Sequence, residues 1–169
     1  AMGFEPKAIT WYEKAVLVDA NKSKWFFELG LLYSNTNNYK KAVIAYNKAA
    51  ELGFIKGNDF NENLGFAYIY SSDFDNGARL LDDLISRRPG DKELIRDIAT
   101  AFYDSRNYDK SLDYCQKLLE MDMKDGKALY QAGLCFQKKG MTEKGMQMCD
   151  KAIEMDPSLA SLRSKKSLP

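Results

Sequence analysis

The 169-residue chain contains no histidine. That absence removes Ser–His–Asp triads, imidazole metal sites and the commonest general acid–base group in one step, so a non-enzymatic role is expected. Neither sign of charge is in excess: 25 Lys and Arg stand against 24 Asp and Glu, a formal net charge of +1. A general binder of nucleic acid or of anionic membrane surfaces needs a basic surplus to displace counterions, so nucleic acid is not expected as a partner. Cysteine is scarce and odd in number, with Cys115, Cys135 and Cys149 spaced by 20 and 14 residues. No CxxC or paired zinc spacing is present, and an odd count builds no disulfide framework. Buried, unbridged thiols acting as small apolar side chains are expected, which suits a reducing, cytoplasmic compartment. Long apolar runs are missing too. Nothing approaches the roughly 20 residues that cross a bilayer, and the stretch from Trp25 to Tyr33 is broken by Glu28, so no membrane insertion is expected. No secretory signal opens the sequence, and Ala1 ahead of Met2 reads as a remnant of tag removal.

What is present is a globular composition, 45% hydrophobic and 29% charged, arranged with a period. Leu29-Gly30-x-x-Tyr33, Leu64-Gly65-x-x-Tyr68, Ile98-Ala99-x-x-Phe102 and Ala132-Gly133-x-x-Phe136 follow one another at 35, 34 and 34 residues. A second set trails each by about ten residues: Tyr39-x-x-Ala42, Phe74-x-x-Gly77, Tyr108-x-x-Ser111 and Thr142-x-x-Gly145. Tyr46, Leu81, Cys115 and Cys149 come next in register, and Pro89 and Pro157 close two of the units. Apolar residues recur at three- and four-residue steps, as at Phe26, Leu29, Tyr33 and then Ala42, Tyr46, Ala49, which predicts amphipathic helices. Polar stretches such as Ser34–Asn38 and Asp104–Asn107 separate them as turns. A small residue recurring in mid-helix at 30, 65, 99 and 133 implies a partner helix in close approach, since glycine there costs about 0.5–1 kcal/mol against alanine.

These residues resemble the tetratricopeptide repeat, a 34-residue helix–turn–helix unit with the pattern W-x2-L-G-x2-Y, A-x3-F, P. Residues 58–91 carry Leu64, Gly65, Tyr68, Leu81 and Pro89 at the matching places, with Gly77 where alanine is usual. Asn61, Thr142, and Phe54 or Met123 in place of proline are departures. The resemblance implies an all-α fold, a right-handed superhelical solenoid of antiparallel helix pairs, with full repeats at 23–57, 58–91, 92–125 and 126–159. Residues 1–22 fit the second helix of an incomplete N-terminal repeat, and 160–169 the start of a C-terminal capping helix or tail. The chain is expected to be a piece of a longer one, and the unpaired N-terminal helix to support a homodimer.

The resemblance also implies that the first helix of each repeat lines a concave groove that holds a protein or peptide partner. The candidate groove residues it picks out are Phe27 and Leu31 in the first repeat, and Asp59, Glu62, Asn63, Phe66 and Tyr70 in the second. The third contributes Glu93, Arg96, Asp97 and Tyr103, and the last Tyr130; Thr100, Lys127 and Gln131 fall at further groove positions. Some members grip acidic chaperone tails with Lys, Asn and Arg. The corresponding positions here are Phe27, Leu31, Glu93 and Asp97, so a carboxylate is repelled and a basic, apolar segment is expected instead. The alternative is a structural spacer or self-association module inside a larger protein.

Other chemistry has little support. Asp73-Phe74-Asp75-Asn76-Gly77 departs from a calcium loop in the place of its glycine and of its final acid, and no phosphate-cradling glycine loop is present. No catalytic residue, metal or cofactor is expected. Trp11 and Trp25 are expected in core or inter-repeat packing. Arg87-Arg88 is expected as a solvated helix end, and Met141, Met146, Met148 and Met155 as the loose edge of a core.

Overall fold

A computed structural model describes residues 5–164. Those residues form α1 (Glu5–Val18), α2 (Ser23–Asn35), α3 (Tyr39–Glu51), α4 (Asn58–Tyr70) and α5 (Phe74–Arg87) in one compact unit, Ala1–Arg88. A second unit, Pro89–Pro169, holds α6 (Lys92–Asp104), α7 (Tyr108–Met121), α8 (Gly126–Lys138), α9 (Thr142–Met155), a 3-10 turn (Pro157–Leu159) and α10 (Ala160–Ser164). Lys165, Lys166 and Leu168, part of the expected C-terminal cap, lie outside the described residues, as do Ala1 and Met2. Within each unit successive helices pack in chain order, α2 on α3 and α4 on α5, then α6 on α7 and α8 on α9. This is the all-α solenoid arrangement of helix pairs.

Four turns show how the periodic sequence becomes periodic structure. Asn37, Ser72, Arg106 and Gly140 take positive φ (58°, 71°, 62° and 85°) at corresponding places between the two helices of a pair. In each, the following backbone N–H reaches back to the repeat aromatic, as Asp73 N donates to Tyr68 O (2.9 Å) and Asn107 N to Phe102 O (2.9 Å). This is the left-handed C-terminal cap that satisfies the last carbonyls of a helix. In two of the four the residue that ends the turn also caps the next helix: the Asp73 side chain accepts from Asn76 N and the Asn107 side chain from Lys110 N.

The recurring small residues sit where the two helices of a pair touch. A Cβ added at Gly30 would lie 2.5 Å from the Tyr46 ring, and one at Gly133 would lie 2.7 Å from both the Gly145 carbonyl and Cys149 Sγ. In the third pair Ala99 and Ser111 occupy the corresponding places, and Ser111, buried, donates its hydroxyl to Ala99 O at 2.7 Å. The core follows from the same pattern. Leu29, Tyr46, Phe60 and Leu64 anchor it in the first unit, and Ile98, Phe102, Tyr114, Cys115 and Leu118 in the second. All three cysteines are buried and form no disulfide.

Several expectations need correction. Trp25 is half-buried and Trp11 meets it edge-on at 6.4 Å as inter-repeat packing requires, but Trp11 is 59% exposed and lies outside the core. α1 buries no residue, and among the described residues it packs mainly on α2; its Tyr12 and Ile9 lean on the core of the first unit, while Leu17 and Val18 stand in solvent. Arg88 is not a solvated helix end: it is half-buried and pairs with Glu62 at 2.6 Å. Met141, Met146 and Met155 are exposed and only Met148 is partly covered, so the four line the outer edge of α9 and are not packed inside the core.

Candidate functional site

In the first unit, α2 presents Phe27 and Leu31, both half-buried, and α4 presents the exposed Asp59 with Glu62, Asn63, Phe66 and Tyr70 partly covered. The Phe27 ring stacks on Phe54 at 4.5 Å and an interplanar angle of 17°, above Phe60, whose ring is 5.9 Å away and buried. This aromatic shelf forms one wall of a cavity of about 310 Å³ that also touches Asp59 and the exposed Ile55. The apolar wall would bury a side chain, and the adjacent carboxylate would favour a cation beside it. Glu62 differs: its charge is compensated by Arg88. Asn63 folds back along its own helix, donating from its side chain to Asp59 O at 2.9 Å on the exposed surface, and Tyr70 stacks on Tyr39 at 4.7 Å.

In the second unit, α6 carries Glu93, exposed, and Arg96, part-buried. The Arg96 guanidinium donates to both Asp125 oxygens, at 3.1 and 3.0 Å, and its Nε lies 3.5 Å from Glu93 Oε1. Asp125 also caps α8 by accepting from Ala128 N. Burial pushes the Asp125 carboxyl up, but the hydrogen bonds from Arg96 and Ala128 outweigh it and hold the group below the ordinary carboxylate range. Asp97 is exposed, and Tyr103 meets Tyr108 edge-on at 5.5 Å; burial raises the Tyr103 hydroxyl above its usual value. Tyr130 is 6% exposed, packs with Cys149, Ala152 and Leu159, and lines a cavity of the second unit. A second cavity, of about 190 Å³, opens between α6, α8 and the C-terminal turn.

The two halves of the candidate set therefore differ in chemistry. Phe27 and Asp59 come together around one cavity, whereas Glu62 and Arg96 are committed to ion pairs within the chain. Phe54 is a shelf residue that the groove positions do not include; its only signal in the sequence is that it stands where the repeat usually carries proline. Among the described residues no cluster of three or more Cys, Asp or Glu is arranged to hold a metal ion, and no helix is long and apolar enough to cross a membrane.

Models of the tetratricopeptide repeat match residues 26–52, 63–126 and 126–159. The chain is 28% identical over 131 residues to human protein O-mannosyl-transferase TMTC1, a match that covers 76% of this chain and spans 14% of the length of that curated relative. Among solved structures, YrrB, described as a TPR protein with an unusual peptide-binding site, superposes with a TM-score of 0.64 at 23% identity, covering 98% of this chain and 85% of YrrB. MamA superposes with a TM-score of 0.64 at 19% identity, covering 99% of this chain and 89% of its own. MamA from Desulfovibrio magneticus RS-1 gives a TM-score of 0.65 at 16% identity over 93% and 88% of the two chains. At these identities the superpositions establish the fold.

Proposed function

The chain belongs to the tetratricopeptide repeat family, and from that premise we propose that it is a non-catalytic scaffold that holds an extended or helical segment of a protein partner against its first-helix faces. The observation that carries this reading is the Phe27–Phe54 shelf with Asp59 at its edge. A segment with an apolar anchor and a lysine or arginine beside it satisfies both features at once. The peptide-binding site for which YrrB is named supports peptide capture as a use of this fold. Basic rather than acidic segments fit because Asp59 is exposed and has no ion pair among the described residues.

The test is fluorescence anisotropy with a labelled peptide that alternates lysine and leucine, titrated with the wild-type chain and with Asp59→Asn. The expected loss is about five-fold in affinity, one exposed charge pair at an interface being worth about 1 kcal/mol, and the difference shrinks as salt rises. Equal affinity for the two proteins at low salt would remove the charge from the argument.

One observation favours a second reading, self-association. α1 has an uncovered face, with Trp11 59%, Leu17 84% and Val18 89% exposed, and a second copy that covers it would bury apolar surface. Light scattering across a wide concentration range is expected to show a dimer that Leu17→Glu with Val18→Glu abolishes. A monomer at every concentration would leave the scaffold reading alone.

A further inference from the structure

The aromatic shelf is a local addition to the repeat. Between α3 and α4 the chain runs through six residues, 52–57, whereas four residues each, 88–91 and 122–125, lead into α6 and α8. The longer loop turns at Gly53, where φ is 87°, and brings Phe54 back over α2. There the Phe54 and Phe27 rings lie nearly parallel, with Phe60 5.7 Å from Phe54. Phe54 is only half-buried, so the stack is a wall of the cavity of about 310 Å³ and not a sealed part of the core. Among the described residues Asp59 is the one charged group lining this cavity, and it is exposed and has no ion pair. The exposed Lys56 stands in the same loop but does not line the cavity. Aromatic faces beside a single carboxylate discriminate among side chains. An aliphatic or aromatic anchor would cover the rings but strip water from Asp59 and leave it unpaired. Glutamate or aspartate would meet a like charge. A lysine ammonium is a compact, strongly hydrated point charge, whereas a guanidinium is planar and more weakly hydrated. It can lie flat on an aromatic face while two of its N–H groups meet one carboxylate.

We propose that the shelf is an arginine pocket: an arginine of the partner segment lays its guanidinium on the Phe27–Phe54 stack and donates two N–H groups to the Asp59 carboxylate. The methylenes of that arginine cover the apolar wall, so one side chain meets both features of the site. This inference rests on the scaffold reading and decides what that reading leaves open, the identity of the cation.

The experiment titrates the full chain, by fluorescence anisotropy at one low salt concentration, with three labelled peptides. They are the lysine–leucine peptide itself and two copies whose central lysine is replaced by arginine or by citrulline. Citrulline keeps the planar end group and loses its charge. The arginine peptide is expected to bind about five-fold tighter than its parent, from a cation–π contact and a second hydrogen bond to one carboxylate, and the citrulline peptide no tighter than the parent. Phe54→Leu keeps an apolar residue and removes the ring face, and is expected to bring the ratio of arginine to lysine affinity close to one. Equal affinity for the arginine and lysine peptides, or citrulline binding as tightly as arginine, overturns the pocket and leaves the scaffold standing; these comparisons need only the wild-type chain. An arginine preference that survives Phe54→Leu overturns the pocket as well. No binding of any of the three peptides overturns the pocket together with the scaffold reading.

Discussion

Replacing Gly133 by alanine sets two physical effects against each other, and the structure decides between them. In mid-helix, alanine is favoured over glycine by about 1 kcal/mol, so local propensity alone predicts a more stable protein. The added Cβ, however, would sit 2.7 Å from the Gly145 carbonyl oxygen and 2.7 Å from Cys149 Sγ. The oxygen belongs to the backbone of α9 and cannot swing aside, and Cys149 is 3% exposed and hemmed in. The two helices must separate by several tenths of an ångström along their contact, an overpacking that costs about 1–3 kcal/mol. The net expectation is a loss of about 1 kcal/mol, or roughly 2–4 °C in Tm for a chain of this size. Urea unfolding followed by far-ultraviolet circular dichroism reads it directly. Gly90→Ala is the control, since nothing lies within 4 Å of the added carbon and the effect on the unfolded chain should stabilise by about 0.4–1 kcal/mol. If Gly133→Ala moves the urea midpoint upward as the control does, the close-approach account of the recurring small residues is wrong.

Three further outcomes follow from the same geometry. Asp125→Asn keeps a cap for α8 but leaves Arg96 without its carboxylate, and should cost on the order of 2 kcal/mol at neutral pH. Because the folded Asp125 carboxyl is held below its ordinary value, its stabilisation is complete above about pH 4 and is lost as pH falls through the folded value; the gap between wild type and variant in urea midpoint should close in acid and persist at neutral pH. Arg106→Gly removes a side chain from a positive-φ position and should raise stability by up to about 1 kcal/mol, seen as a higher midpoint; a fall would mean that the Arg106 side chain itself stabilises the turn. Burial pushes the Cys115 thiol up to about 12 and raises Cys135 as well, so a disulfide-exchange reagent at pH 8 should label neither in the folded chain and both after unfolding.

The fold was legible because one spacing encodes it several times over. Leu64, Gly65 and Tyr68 announce a helix that packs closely, and their counterparts 34 or 35 residues away repeat the statement. The turns were harder to read. Ser72 and Arg106 are poor candidates for a left-handed backbone by residue type, and only the register they share with Asn37 and Gly140 explains why they adopt it. The candidate site was legible as a set of positions but not as chemistry. Groove position alone does not show that Arg88, 26 residues along the chain, neutralises Glu62, or that Tyr130 turns into the core. Phe54 stands out in the sequence as a departure from the repeat, and its stacking on Phe27 is a contact between a loop and a helix that no helical periodicity describes.

The most direct test of the central claim is to map the lysine–leucine peptide onto the assigned amide spectrum of the full chain. The account predicts saturable shifts concentrated at Phe27, Phe54, Asp59 and Phe66 in the first unit, all on or beside first-helix faces. Shifts confined to the outer surfaces of α3 and α5, or no saturable shift at any concentration, would contradict it.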